Sequence, residues 1–342
     1  MSTHNTGKVT VMVPVYGVER YIGRCAESLF SQRYADMEFV FVDDCTPDAS
    51  VAVLEETLAR YPQRAAQTRI VHHEHNRGLS AARNTALDTA TGQYLMIVDS
   101  DDWLVDDSVV DTLVQRMEAS GADIVTFDFY NVYGQNRYPS HKNIPSQKED
   151  YLRYVIECRC TPSLATSFYR ASVFRDSGVR NIEGMDMCED YTVQPRLIYY
   201  AHKVDYLPQP LYCYYRANES SYLNSYRPPK SRAIPEVEVI ERFFLDKPDK
   251  ADYLPSIEAA YILKTSRMFV NWAKYSADSR VYPQVPRITS TAYLFNRRLM
   301  FTYKIVILFQ RLHLQRFFAW IVQRKMRRLT GSPNEAAEPI NH

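Results

Sequence analysis

Asp99-Ser100-Asp101-Asp102 sets three carboxylates within four residues, directly after the apolar run Tyr94-Leu95-Met96-Ile97-Val98. Like charges so close are costly unless a cation or hydrogen-bond donors offset them. A divalent ion bridging to a diphosphate would do so, and would also stabilise charge on a departing phosphate. The plainer reading is a solvated turn capping the next helix, with Asp107 or Ser108 as the cap. A second acidic group, Asp43-Asp44, follows another apolar run and leads into Cys45-Thr46-Pro47-Asp48. One carboxylate there could accept hydrogen bonds from a base or ribose, while Asp48 suits the cap of a helix starting near Ser50. Glu189-Asp190 is the third group, at the start of a helical pattern, where the helix dipole alone favours acid. Its chemical role depends on the other two.

These groups need elements to hold them. Val9-Thr10-Val11-Met12-Val13-Pro14-Val15 reads as a buried parallel strand. Helical spacing follows over 19–31, then strands over 38–42, 69–72 and 93–98, with helices over 50–60 and 80–90 between them. A helix over 108–119 and a strand over 123–129 continue the alternation. Strand and helix in this order predict an α/β fold with a doubly wound, mostly parallel sheet, whose ligands bind beyond the carboxyl ends of the strands. Both Asp groups fall at such ends. Residues 131–150 are polar, with Gly134, Pro139 and Pro145, and read as a surface loop. Residues 151–215 mix short strands and helices, 231–272 are helical, and the basic segment from 297 continues the helical pattern. The domain expectation is therefore a first α/β half over 1–130, a second half of the same domain over 131–225, a helical extension over 226–330 and a flexible tail over 331–342.

Composition narrows the classes. The chain has 342 residues, 46% hydrophobic and 24% charged, which suits a folded protein rather than a disordered one. Six cysteines lack zinc-site spacing, and free thiols in a reducing compartment are the default reading. No run of about 18 apolar residues occurs, and residues 1–8 are too polar for a signal peptide, so the expected location is cytoplasmic. No GxGxxG follows the first strand and no P-loop is present, which disfavours dinucleotide oxidoreductases and P-loop enzymes. His72, His73 and His75 are read as loop or cleft wall, and Trp103 as packing behind the acidic turn.

Together these segments resemble the inverting family 2 glycosyltransferases of the GT-A fold, which build bacterial surface polysaccharides and glycolipids. The resemblance rests on Val13-Pro14-Val15-Tyr16, Asp43-Asp44-Cys45-Thr46-Pro47-Asp48, Asn76-Arg77-Gly78-Leu79-Ser80-Ala81-Ala82-Arg83-Asn84 and Asp99-Ser100-Asp101-Asp102-Trp103. Glu189-Asp190-Tyr191, Tyr214-Tyr215-Arg216 and Ser220-Ser221 match looser, later landmarks. It implies that Pro14 and Tyr16 line a nucleotide pocket, that Asp44 meets uracil with Asp43 in support, and that Asn76 and Arg83 form the wall near the phosphates. It further implies that Asp99 and Asp101 form the DxD that meets the ribose and metal, with Asp101 or Asp102 the direct ligand of Mg²⁺ or Mn²⁺, and that Asp190 is the general base; Arg216 is a candidate for a second contact on the departing phosphates. The donor would be a UDP-sugar and the acceptor a hydroxyl of a glycan or lipid-linked molecule. Cys45 stands where a turn glycine is usual; a positive φ there would cost roughly 1 kcal/mol.

Two other classes are weighed against this. A sugar-phosphate nucleotidyltransferase would carry an early Gly-rich phosphate loop, and residues 13–23 contain none. A non-catalytic nucleotide-sugar or carbohydrate-binding protein would leave Asp190 unconstrained. In the C-terminal region, residues 297–328 contain nine Lys or Arg and no Asp or Glu. Phe301, Ile305, Leu308, Leu312, Ala319, Val322, Met326 and Leu329 recur there at helical spacing as one apolar stripe. Peripheral attachment to an anionic membrane is preferred over packing on the catalytic domain or a homodimer interface. Nucleic acid is not expected as a partner, because no recognition module accompanies the charge.

Overall fold

The computed structural model describes residues 7–185, 187–218, 235–275 and 301–330. It comprises two compact units, one of Met1–Val155 with Arg159–Asn218, the other of Ile156–Cys158 with Glu219–His342. The expected landmarks Ser220-Ser221, Arg297 and Arg298 and the tail 331–342 lie outside the described residues.

In the first unit, β1 (Val9–Val15) is buried along its whole length. Val9, Val11, Val13 and Val15 join one core with Ile22, Cys25, Ala26, Leu29 and Phe30 of α1 (Ile22–Phe30). Alternate residues of a strand share a face, so this β-branched set commits that face of β1 to the helix. β2 (Met37–Asp43) and β4 (Tyr94–Ile97) pair parallel on either side of β1, and β3 (Thr68–His72) pairs parallel with β2. Helix α2 (Ser50–Ala59) packs on α1, and α3 (Leu79–Thr89) packs on β1 and β2 through the buried Ala81, Ala82 and Ala86.

The sheet continues past β4 with mixed polarity. Its order is β3-β2-β1-β4-β8-β6-β9-β5, with β7 paired to β6. Here β5 is Trp103–Leu104, β6 Ile124–Tyr133, β7 Asn136–Ser140, β8 Ser167–Arg170 and β9 Val204–Tyr215. β8 is antiparallel to both β4 and β6, whereas β6 and β9 run parallel with a bulge opposite Asp128. Helices α4 (Val109–Ser120), α5 (Lys148–Ile156), α6 (Ala171–Ser177) and α7 (Glu189–Tyr200) complete this part. The expected loop over 131–150 is instead a hairpin followed by the start of α5. β6 runs on because Asn131 and Val132 pair with Tyr214 and Tyr215 of β9, and Gly134 turns the chain at φ 58°. Pairing partners far along the chain, invisible to local hydrophobicity, extend that strand. Residue 130 lies inside β6, so the two expected halves share one sheet.

The second unit is helical, with α8 (Pro235–Leu245), α9 (Leu254–Tyr275), α10 (Phe301–Arg311) and α11 (Gln315–Thr330). Phe269, Trp272 and Ala273 of α9 form a core with Val306 of α10 and Ala319 of α11. Ser256 donates to Glu157 at 2.7 Å, and Lys264 pairs with Glu236 at 3.2 Å. The expected single apolar stripe is divided: Ala319 and Val322 pack against α9, while Phe301, Leu308 and Leu312 are exposed. Among the described residues, no helix is long and apolar enough to cross a membrane.

Candidate active site

β1 ends at Pro14 and Val15, and the chain leaves the sheet at Tyr16, which is 50% exposed. The backbone N–H of Gly17 donates to the Thr46 hydroxyl at 2.8 Å, and that hydroxyl donates to Asp48 at 2.7 Å. Asp48 also accepts from the backbone N–H of Ser50, tying the turn after β2 to the start of α2. Between them Cys45 takes φ 57°, the left-handed conformation that favours glycine.

Asp44 is 3% exposed and fully engaged with its own chain. Oδ1 accepts from the Arg77 N–H at 2.8 Å and meets His73 Nδ1 at 2.6 Å; Oδ2 accepts from the Gly78 N–H at 2.7 Å. Gly78 has φ 89°, so the turn entering α3 needs this residue. His73 is held on its other nitrogen by Thr85, and His72 meets Asp43 at 2.9 Å. The histidines are therefore braces for the Asp pair. Asn76 is exposed on the same turn.

Arg83 is the centre of the site. It is 3% exposed, and its guanidinium donates to Asp99 at 2.8 Å, Glu189 at 2.9 Å and Asp190 at 2.8 Å. Its Nε is buried with no acceptor in reach among the described residues. The helix that carries Arg83 also fastens the chain leading to α7: Ser80 donates to the Met185 carbonyl at 2.7 Å, and Asn84 and Asn181 exchange side-chain and backbone bonds at 3.0 Å. Residues a hundred positions apart thus meet on one cation.

Burial would lower Arg83, but Asp190, Asp99 and Glu189 outweigh it and hold the guanidinium firmly charged. Burial and the Asp190 charge push Glu189 up to about 7, against the pull of Arg83. Asp190 is raised by burial and by Asp99, opposed by Arg83 and by the Leu164 backbone N–H. One cation shared among three carboxylates leaves net negative charge, and proton affinity rises accordingly.

The Asp99 turn separates its carboxylates by direction. Asp102 is 1% exposed; its oxygens accept from the Tyr212 hydroxyl and the Tyr215 N–H, each at 2.7 Å. These bonds anchor β9 to the turn and would compete with a metal for the Asp102 oxygens. Burial, then Asp101 and Asp99, raise its proton affinity well above the ordinary carboxylate range. Asp101 is half-buried and accepts from Asn218 at 2.8 Å; burial and Asp99 raise it too. Among the described residues, no three candidate ligands converge as a metal cage. An ion here would thus take Asp101 as one hard oxygen donor and rely on phosphates and water for the rest, the usual arrangement for Mg²⁺ with a diphosphate.

Arg24, Tyr212 and Asn218 were not singled out from the sequence as holding this turn. Arg24 lies 3.5 Å over the Trp103 ring and donates to the Asp101 carbonyl at 3.2 Å, while Trp103 packs with Val132 and Cys213 as expected. Tyr212 accepts from the Asp99 N–H at 3.1 Å as well as donating to Asp102. Arg216 donates to Asn131 at 2.7 Å and lies 4.0 Å over the Tyr214 ring, beside the cluster rather than in it.

Comparison with known proteins adds an independent line. The profile of glycosyl transferase family 2 matches residues 10–179. The uncharacterized glycosyltransferase EpsJ of Bacillus subtilis is 31% identical over 224 residues, 62% of this chain and 62% of EpsJ. Glycosyltransferase GlyA of Streptococcus pneumoniae is 31% identical over 220 residues, 60% of this chain but 30% of GlyA, so the match spans less than two thirds of either relative. Among solved structures, TarS 1-349 of Staphylococcus aureus in complex with UDP-GlcNAc superposes with a TM-score of 0.67 at 18% identity, covering 94% of this chain and 92% of that one. The mannosyltransferase PcManGT of Pyrobaculum calidifontis, in complex with GDP-Man and Mn²⁺, gives 0.55 at 17% identity over 96% of this chain and 89% of that one. The fold is thus that of GT-A enzymes.

Proposed function

The chain belongs to glycosyl transferase family 2, and from that premise we propose that it transfers a sugar with inversion from a UDP-sugar to a hydroxyl of a glycan or lipid-linked acceptor. The observation that carries this reading is the Arg83 bridge, which joins Asp190 on α7 to Asp99 at the end of β4. A base and a donor-holding turn then share one cleft edge. The named UDP-GlcNAc complex of TarS supports the donor class.

In this mechanism Pro14, Tyr16 and the turn fastened by Asp43 and Asp44 line the nucleoside pocket, with Asn76 on its rim. Asp99 meets the ribose. Arg83 lies beside the phosphates and holds Asp99 and Asp190 in place. Arg216 supports the leaving group from the β9 side. Asp190 accepts the proton of the acceptor hydroxyl as that oxygen bonds the anomeric carbon on the face opposite the diphosphate. The bond from anomeric carbon to diphosphate oxygen breaks, and the nucleoside diphosphate leaves. Its raised proton affinity suits Asp190 to this work. Mg²⁺ or Mn²⁺ held by Asp101 and the donor's phosphates would supply charge neutralisation at the leaving group.

The test is a panel of radiolabelled nucleotide sugars with the wild-type chain and Asp190→Asn. Transfer should fall by about 10²–10⁴-fold in the variant, with UDP binding retained. Undiminished turnover would remove Asp190 from the role of base.

A further inference from the structure

Helix α11 is apolar on two faces. Phe318, Ala319 and Val322 belong to the core made with Phe269 and Trp272 of α9. Phe317, Trp320 and Ile321 sit at i, i+3 and i+4 on a separate, exposed face. Trp320 is 52% exposed, stacks on Phe317 at 5.9 Å between ring centroids, and has Arg324 5.1 Å from its ring. Helix α10 repeats the arrangement: Val306 and Ile307 are buried, while Phe301, Leu308 and the following Leu312 are exposed. Seven of the fourteen large apolar side chains exposed among the described residues fall between Phe301 and Ile321, which makes this a patch rather than scatter.

Charge selects the occupant. Residues 297–328 hold nine Lys or Arg and no acid, so a second copy docking by the same face would bring like charges together. An anionic lipid surface would not. We propose that this face of α10 and α11 lies in the headgroup layer of an anionic leaflet, with Phe317, Trp320 and Leu312 at the acyl boundary. Arg316, Arg324 and Lys325 are exposed and reach lipid phosphates, their stems lying along the apolar surface. Neither helix can span a bilayer, with 11 and 16 residues, so the segment lies on the membrane. This deepens the proposed reaction by naming the surface on which a lipid-linked acceptor is met, and only that link rests on the reaction.

The test mixes the full chain with vesicles of phosphatidylcholine, with or without phosphatidylglycerol, and reads flotation and tryptophan emission. Trp103 and Trp272 are buried, so a blue shift reports Trp320. The expected result is flotation and a blue shift with anionic vesicles alone, both reversed by salt. Phe317→Ser combined with Trp320→Ser should weaken flotation by at least about tenfold, since both rings would lose their place at the acyl boundary. UDP release from the donor should stay unchanged in that variant, which separates failure here from failure of the proposed reaction. Absence of flotation with anionic vesicles at low salt overturns the proposal. So does equal flotation with neutral vesicles, or a blue shift that follows protein concentration without vesicles, which would identify a second copy as the cover.

Discussion

Two acidic turns end the strands that flank β1, and they are balanced differently. In the Asp43-Asp44 turn the inner carboxylate meets donors: two backbone N–H groups and His73. In the Asp99–Asp102 turn the inner carboxylate also holds two donors, but Asp101 and Asp99 press on it with like charge. The first turn is electrostatically complete. The second keeps an excess of acid that Arg83 only partly offsets, since that cation also serves Glu189 and Asp190. Density of acid alone therefore does not leave a turn in need of a cation; an unmet balance of charge does.

The most severe way to break this contrast is Arg83→Met. With three carboxylates left facing one another in a buried place, the fold should lose about 3–5 kcal/mol, read from urea unfolding. A loss below about 1 kcal/mol would mean that the carboxylates find other donors. Next, Asp44→Asn should cost about 1–3 kcal/mol, because that inner carboxylate holds chain donors. Asp101→Asn should leave stability nearly unchanged and weaken metal stimulation of transfer. Equal loss of metal response in Asp102→Asn would contradict its role as an anchor.

Glu189→Gln gives a smaller effect with a defined sign. Glu189 is raised from 4.5 to about 7, so the folded chain holds this proton more tightly than the unfolded one. Its contribution to stability is full below the unfolded value and is lost as pH rises through about 7. The variant should be more stable than wild type by about 1–2 kcal/mol above pH 7, with the difference vanishing towards pH 4 in thermal melts. A difference independent of pH would show that Glu189 is not titrating there. Cys45→Gly is the smallest: relief of the φ 57° conformation should stabilise by up to about 1 kcal/mol, seen as a modest rise in Tm.

Much of this was legible in residue order. The strand over 9–15 and the start of α7 at Glu189 match the structure, because burial pattern and acid in a helix's first turn are local signals. The hairpin at Asn136–Ser140 was not legible, since Asn131 and Val132 look polar or neutral until β9 pairs with them. Arg83 and Asp190 could each be singled out, but nothing in the sequence between them, 107 positions apart, says they touch. Nor did the apolar stripe of 301–329 reveal that α11 has two apolar faces, because periodicity counts apolar residues without naming what covers them.

The sequence by itself therefore determined the α/β alternation, the motif order and the three acidic groups, all of which follow from neighbours within a few residues. Only the tertiary structure decided that Asp102 and Asp44 turn inward while Asp101 is more open, that one arginine gathers Asp99, Glu189 and Asp190, and that an aromatic face on α11 is left exposed. Each of those depends on donors or packing surfaces brought from distant parts of the chain, and a carboxylate's direction is set by where its donors lie.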